Sequence, residues 1–320
     1  MYEYVIKGNN RLLGEVNILG AKNAILPMMA ASILADKGKT VISNVPNIKD
    51  VDTLSEILRQ MGATVKYDSK NRIIEIDCSS INNFTAPYEI VKQMRASFLV
   101  IGPLLARFHQ AKVSLPGGCA IGDRNVNMHL KALKVMGADI KEKYGFVVAK
   151  TDELKGAKIY FDLPSHTGTE NIMIAACLAK GTTIIINAAC EPEIVDLAHF
   201  LWKMGARIYG AGTPNIIIEG KKQMSAVEYE AMPSRIETAF FLATAAITKG
   251  ELIIKNVILS NLGIIIDKMR EMGIEIQEIG DKRVLVKANK RLQSVNFTTW
   301  PFPGFPTDFQ PQTMALLSAA

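Results

Sequence analysis

Repeated helix–strand units of the α/β class, spread over two domains, are the architecture this sequence predicts. Three observations predict it. Met61-Gly62, Met136-Gly137, Met204-Gly205 and Met272-Gly273 each close a helix-like stretch, and the last three of these glycines lie 68 residues apart. Gly38, Gly181 and Gly250 each follow an alanine-rich apolar segment and precede a β-branched run that ends six residues later in Asn44, Asn187 and Asn256. Between the first glycine of a repeat and the second there are steps of 24 residues in two repeats and 23 in the other. Self-similarity at a fixed period means one supersecondary unit used several times. A chain of 320 residues is also long enough for two domains, each with its own core.

One repeat reads as follows. An apolar helix, such as 25–35 or 172–179, ends at a glycine C-cap. A short strand follows, as in 40–43 or 182–186, rich in the β-branched residues that suit a pleated surface. A second helix, as in 48–61 or 193–204, places apolar residues at a 3.6-residue period and is therefore amphipathic. Strands such as 64–66 and 73–77 close the repeat. The apolar helices carry hydrophobic residues on nearly every face, which places them inside, with the strands around them. The last stretch, 310–320, reads as the first helix of a fifth repeat, so the chain is expected to stop inside that repeat.

The second repeat fits imperfectly. Gln110 falls where the helix-ending glycine is expected and Pro116 where the asparagine is expected. From Pro116 to Gly137 is 21 residues, whereas Asn44 to Gly62 and Asn187 to Gly205 are each 18. The extra three residues fall in Leu115-Pro116-Gly117-Gly118-Cys119-Ala120-Ile121-Gly122-Asp123-Arg124. Departures from a repeat template concentrate where binding occurs. Glycines allow a backbone to approach a ligand closely, and a nearby arginine favours the reactive thiolate. Cys119 is thus a candidate reactive thiol, with a small buried hydrophobe as the alternative. Cys177, between Ala176 and Leu178, reads as core, while Cys78 and Cys190 have no chemical context.

The four cysteines show neither metal-ligand spacing nor a disulfide framework, so a reduced, cytoplasmic setting is expected. No apolar run reaches transmembrane length, and the first residues do not resemble a signal peptide. The formal charge of +6 suggests an anionic partner, but basic residues are scattered among acids with no run of five or six. Small polyanionic substrates account for the charge without nucleic acid or membrane.

Candidate binding residues recur at helix starts: Lys22-Asn23, Arg95-Ala96-Ser97, Ser165-His166-Thr167-Gly168-Thr169, Arg235 and Thr307-Asp308. Helix N-termini present unpaired amides and the positive end of the dipole, which favours phosphate and carboxylate groups. For any one of these positions the alternative is ordinary capping. Asp308 follows Pro301-Phe302-Pro303-Gly304-Phe305-Pro306, a segment too rich in proline for helix or strand, and so a rigid loop that delivers a carboxylate. An N-cap role is the alternative there. His109, His129, His166 and His199 form no triad or metal pattern, and His129 and His199 are expected on helix surfaces.

Taken together, Gly20-Ala21-Lys22-Asn23-Ala24, Arg95-Ala96-Ser97, Pro116-Gly117-Gly118-Cys119 with Ile121-Gly122 and Arg124, Glu191-Pro192-Glu193-Ile194-Val195-Asp196, Arg235-Ile236-Glu237-Thr238 and Phe305-Pro306-Thr307-Asp308 resemble the UDP-N-acetylglucosamine enolpyruvyl transferases of bacterial cell-wall synthesis. The resemblance runs along the whole chain. It implies a two-domain fold of inside-out α/β barrels, with 22–232 as a complete domain of three repeats. Residues 1–21 and 233–320 then form the second domain, incomplete at its C-terminal end. It also implies transfer of enolpyruvyl from phosphoenolpyruvate to the 3′-hydroxyl of the sugar nucleotide, the first committed step of peptidoglycan synthesis. The reaction is addition and elimination through a tetrahedral intermediate, by a monomer that needs no metal or cofactor.

By the same resemblance Lys22 and Asn23 meet phosphoenolpyruvate. Cys119 protonates its methylene carbon, can form an adduct with it, and is the target of fosfomycin. Asp308 is the general base. Arg95, Arg124, Asn125, Val126, Asn127, Ser165 and Asp308 bind the sugar nucleotide. The chain departs from the family pattern at Asn125 and Asn127, where proline and aspartate are usual, and at Ser165-His166-Thr167-Gly168, which replaces a Ser-Val-Gly-Ala type of turn. Two other readings compete with this one. A 5-enolpyruvylshikimate-3-phosphate synthase shares the fold but lacks the cysteine loop, and a non-catalytic nucleotide-binding protein could use the same repeats.

Overall fold

The structure, a computed structural model, describes residues 3–8, 10–92, 94–115 and 126–320. The described chain makes four passes through one order of elements. Strand β1 (Leu13–Asn17) comes first. The first repeat is α1 (Lys22–Ala31), β2 (Thr40–Ser43), α2 (Lys49–Gln60) and the hairpin β3 (Thr64–Asp68) with β4 (Ile73–Asp77). The second is β5 (Thr85–Ala86), α3 (Tyr88–Val91), a 3₁₀ segment Arg95–Val100 running into α4 (Ile101–Phe108), β6 (Gln110–Ser114), α5 (Asn127–Val135), β7 (Asp139–Lys143) and β8 (Phe146–Lys150). The third is β9 (Lys158–Tyr160), α6 (His166–Ala176), β10 (Thr182–Ile186), α7 (Pro192–Lys203), β11 (Arg207–Tyr209) and β12 (Asn215–Glu219). The fourth is β13 (Glu228–Glu230), α8 (Arg235–Ile247), β14 (Glu251–Lys255), α9 (Gly263–Glu271), β15 (Glu275–Glu278) and β16 (Arg283–Lys287). A 3₁₀ turn Thr307–Phe309 then leads into α10 (Gln310–Ser318). Among the described residues no helix is long and apolar enough to cross a membrane.

Each repeat builds the same four-stranded sheet. The strand after the apolar helix (β2, β6, β10, β14) pairs in parallel with a short edge strand and antiparallel with the far strand of its hairpin. In the second and third repeats the edge strand precedes the apolar helix of its own repeat, giving β5–α4–β6 and β9–α6–β10 crossovers, the first of them with α3 and the 3₁₀ segment between β5 and α4. The first and fourth repeats exchange theirs. β1 precedes α1 yet pairs with β14, register Leu13↔Glu251, while β13 precedes α8 yet pairs with β2, register Glu228↔Val41. That exchange gives two compact units, Gly20–Met232 and Met1–Leu19 with Pro233–Ala320.

The repeated asparagines carry out a repeated task. Asn44, Asn187 and Asn256 all have φ of 61°, in the left-handed region that asparagine tolerates better than branched residues. Each donates its side-chain Nδ2 to the carbonyl that ends the parallel edge strand: Ala231 O at 3.0 Å, Phe161 O at 2.9 Å and Ile18 O at 3.0 Å. These carbonyls lie where the chain turns from the sheet toward a buried helix, and the amide satisfies them there.

In the Gly20–Met232 unit the apolar helices form the centre and the sheets surround them. Ala24 to Ala31 of α1 and Gly168 to Ala176 of α6 are buried without a break. α4 packs on α6 so closely that a Cβ at Gly102 would lie 2.1 Å from Asn171 Oδ1. Amphipathic α2 and α7 lie against this centre through Val51, Leu54, Ile57 and Leu58, and through Ile194, Leu197, Phe200 and Leu201. Arg107, at the last turn of α4, donates from Nη1 to Ile33 O, Ala35 O and Cys78 O at 2.8, 2.8 and 2.9 Å, tying the first two repeats together.

Four local expectations change. The first apolar helix starts at Lys22, three residues earlier than expected, because extended Ala21 (ψ 121°) accepts from the amides of Ala24 and Ile25. Lys22 and Asn23 are therefore helical and do not precede the helix. The apolar helices also do not end on the glycines: α1 and α6 are capped by Ser32 and Cys177, both right-handed, and Gly38 and Gly181 turn the chain into the strand several residues later. In the second repeat the left-handed residue is His109 (φ 62°), the C-cap of α4, and not Gln110, which already belongs to β6. Because β6 ends at Ser114, the position held elsewhere by asparagine falls on Leu115; Pro116 lies outside the described residues.

Candidate active site

The residues singled out in the sequence fall into three groups. Cys119, Arg124 and Asn125 lie outside the described residues. In the Gly20–Met232 unit, Lys22 opens α1 with half of its side chain exposed and Nζ 3.1 Å from Asp50 Oδ2 on α2. Asn23, partly exposed, follows it on α1. Arg95, Val126, Asn127 and Ser165 belong to three elements that meet around a single buried imidazole, His129. In the other unit, Asp308 is exposed within the turn that leads to α10. Asp308 is not the cap of that helix, whose N-cap is Phe309, which removes the capping alternative.

His129 was expected on a helix surface, and the structure buries it to 3% exposure. The sequence did carry the signal: Val126, His129, Leu130 and Leu133 follow a three–four spacing, so the histidine sits on the buried stripe of α5. Asn171 on α6 donates Nδ2–H to His129 Nδ1 at 3.0 Å, which leaves the ring proton on Nε2, facing Thr167 Oγ1 at 3.4 Å. The ring edge meets Phe98 of the 3₁₀ segment at 5.5 Å between centroids. Burial, helped by the positive charge of Arg95, lowers the His129 pKa to about 3. A neutral ring therefore joins the starts of the Arg95 segment, α5 and α6, and it keeps that junction free of pH effects near neutrality.

The start of α6 is a capped helix N-terminus. Ser165 is its N-cap, and the Ser165 hydroxyl accepts from the Gly168 amide at 3.2 Å. An eleven-residue buried helix presents the positive end of its dipole there, with Arg95 close enough to act on His129. Directly behind this turn lies an acidic group. His166 Nδ1 is 3.3 Å from Glu170 Oε1, and Glu170 is 1% exposed. Glu193, in the first turn of α7, is buried to the same extent. Burial opposes the charged form of His166, but Glu170, with Glu191 and Glu193 behind it, outweighs burial and raises the pKa to about 9. Burial also raises the Glu170 pKa, and the imidazolium partly offsets that. Read along the chain, His166 has no evident partner, although a glutamate four residues on is the spacing that places two side chains on one helix face.

A second acid, Asp196 on α7, secures the segment that leads out of the unit. It accepts from Tyr229 Oη at 2.6 Å and from the Met232 amide at 3.0 Å. The Met232 carbonyl in turn accepts from the Ala21 amide at 2.8 Å, so the motif residue Asp196 supports the approach to Lys22. The other cysteines are poor nucleophiles. Burial pushes the Cys78 and Cys177 thiols up to about 12, and burial with Glu191 raises that of Cys190.

Repeated four-stranded sheets packed on apolar helices, with cationic and capping side chains at the helix starts, are the features to set beside known proteins. Residues 6–320 match the family described as EPSP synthase (3-phosphoshikimate 1-carboxyvinyltransferase), and the chain belongs to that family. It is 51% identical over 320 residues to a UDP-N-acetylglucosamine 1-carboxyvinyltransferase of Geotalea uraniireducens, covering all of this chain and 76% of that protein. It is 50% identical over 321 residues to the protein of the same name from Thermodesulfovibrio yellowstonii, with the same coverage. Among solved structures, the enolpyruvyl transferase NikO from Streptomyces tendae superposes with a TM-score of 0.87 at 22% identity, over 98% of this chain and 74% of that one. An EPSP synthase from Acinetobacter baumannii gives 0.70 at 19% identity, over 97% of this chain and 70% of that one. At those identities the two structures speak to the fold, and the sequence relatives speak to the branch of the family.

Proposed function

We propose that the protein transfers the enolpyruvyl group of phosphoenolpyruvate to the 3′-hydroxyl of UDP-N-acetylglucosamine with release of phosphate, in the cytoplasm and as a monomer. The observation that carries this is the 50–51% identity, along the whole chain, to proteins whose name states carboxyvinyl transfer with UDP-N-acetylglucosamine. The shikimate branch is less well supported, since the Acinetobacter baumannii EPSP synthase shares 19% identity with this chain. In this proposal the two compact units are the two domains expected from the sequence, 22–232 and 1–21 with 233–320.

The chemistry balances with the side chains the chain carries. Asp308 takes the proton of the 3′-hydroxyl as its oxygen bonds to C2 of phosphoenolpyruvate, and the Cys119 thiol gives a proton to C3. The product of that addition is a tetrahedral ketal that keeps the phosphate. The Cys119 thiolate then takes back a C3 proton as the C2–O bond to phosphate breaks, which restores the double bond and releases phosphate. Lys22 and Asn23 hold the carboxylate and phosphate of phosphoenolpyruvate. Arg95, Arg124, Asn125, Val126, Asn127 and Ser165 hold the nucleotide, with Asp308 reaching the sugar. The junction at His129 supports this assignment, because it brings Arg95, the start of α5 and Ser165 to one place.

The test is intact-mass measurement after incubation with fosfomycin, which opens its epoxide on a thiolate. The protein should gain one adduct, mapped to Cys119, and Cys119→Asp should abolish it. Labelling that survives the substitution would locate the reactive thiol elsewhere and defeat the assignment.

A further inference from the structure

The proposed chemistry leaves one buried ion pair without a task. His166 and Glu170 lie one turn apart at the start of α6, with their charged atoms 3.3 Å apart and the carboxylate 1% exposed. The charges of Glu191 and Glu193, at the start of α7, act on the same imidazole. On α5 His129 is neutral, and the charge of Arg95 bears on that ring. A charged Glu170 this close to a helix start would repel an incoming diphosphate, and burial weakens the screening that water would supply. A cation beside Glu170 cancels that charge, and His166 Nδ1, 3.3 Å away, occupies the position.

We propose that His166, paired with Glu170, is a positioning residue for the sugar nucleotide: its imidazolium neutralises the buried Glu170 carboxylate behind the Ser165 turn, so that the turn accepts the diphosphate. This rests on the assignment of that turn to the sugar nucleotide. It assigns a purpose to the place where Ser165-His166-Thr167-Gly168 departs from the family's pattern, since the usual valine there carries no charge. His166 need not touch the ligand. Its Nε2 is enclosed and has no hydrogen-bond partner among the described residues, so it acts through the field and through the shape of the α6 start. Near neutral pH the imidazolium is fully formed, because the three glutamates hold its proton to about pH 9.

Calorimetric titration of UDP-N-acetylglucosamine into the 320-residue protein, between pH 6 and pH 10, tests this. Wild-type affinity should hold to about pH 8 and then weaken as His166 loses its proton near pH 9. His166→Gln should weaken binding about tenfold at pH 7 and remove the pH 9 inflection, the size expected for one uncompensated charge in a partly screened site. The double substitution His166→Gln with Glu170→Gln should regain most of the lost affinity. In turnover the single substitution should raise KM for the sugar nucleotide and leave kcat and the KM for phosphoenolpyruvate within about twofold.

Wild-type affinity in His166→Gln, a surviving inflection, or no recovery in the double variant would overturn the inference. Should His166→Gln fail to fold, the imidazole titration followed by NMR in Glu170→Gln replaces it; a midpoint that stays at the wild-type value would overturn the inference equally. If wild-type protein neither binds the sugar nucleotide nor releases phosphate, the functional assignment falls and the inference falls with it. Binding that is normal in the wild type and unaffected by His166→Gln defeats the inference alone.

Discussion

The apolar helices of the two compact units have similar sequences but very different surroundings. α6 of the Gly20–Met232 unit buries nine of its eleven residues, whereas α8 of the other unit buries seven of thirteen and leaves Phe240 and Ile247 49% and 40% exposed. Those two side chains line a groove of about 260 Å³ with Pro311, Ala315 and Leu316 of α10. α6 is enclosed by α4, α5, α7 and the sheets, while α8 is packed by α10 on one side and its own sheet on another. Burial of these helices is therefore made by neighbouring repeats and is not a property of their composition, which is apolar in both cases. Solenoid-like units behave this way, because no single repeat covers its own hydrophobic face.

Each unit holds one tryptophan, Trp202 in Gly20–Met232 and Trp300 in the other, so each can report its own unfolding once the other is replaced by phenylalanine. Ile172→Ala, in the enclosed helix, should cost about 2–5 kcal/mol at the Trp202 transition in urea and leave the Trp300 transition in place. Equal loss at both transitions would mean that the units do not differ as their packing suggests. Arg107→Ala removes a donor from three backbone carbonyls and should cost about 2–3 kcal/mol at the Trp202 transition. A change under about 0.5 kcal/mol would deny the guanidinium its tying role.

The asparagine caps extend the comparison to a feature both units share. Asn187→Ala and Asn256→Ala should each cost about 1–2 kcal/mol, the first at Trp202 and the second at Trp300, since both remove one amide bond and leave a left-handed residue without its helper. Markedly unequal costs would show that the repeat is geometric but not energetic. The smallest effect is expected at Phe240→Ala, under about 1 kcal/mol at the Trp300 transition, because half of that ring is already in water. A larger loss would mean that the groove is more tightly packed than its exposure indicates.

How much of this could be read in the sequence depends on range. The glycine and asparagine periods located the buried helices, their strands and their hairpins, because those rest on contacts within a few residues. The edge strands did not show, since β13 pairs with β2 from 187 residues away and nothing local marks Glu228–Glu230 as the partner of Thr40–Ser43. Lys22 was read as preceding its helix because the capping signal at Ala21 is backbone geometry and carries no side-chain signature. At the site, Arg95 and Ser165 were legible as helix starts, but their meeting was not. His129, which joins them, reads as a surface residue by itself, although its spacing puts it on the apolar stripe of α5. The His166–Glu170 pair was missed for a different reason: each residue has an ordinary explanation alone, and the charge is visible only when both are seen to be buried.

The measurement that tests the account most directly is phosphate release with phosphoenolpyruvate and each of two acceptors. UDP-N-acetylglucosamine should give phosphate together with a product heavier than the acceptor by one enolpyruvyl group, and shikimate 3-phosphate should give neither. Phosphate released with shikimate 3-phosphate, and none with the sugar nucleotide, would contradict it.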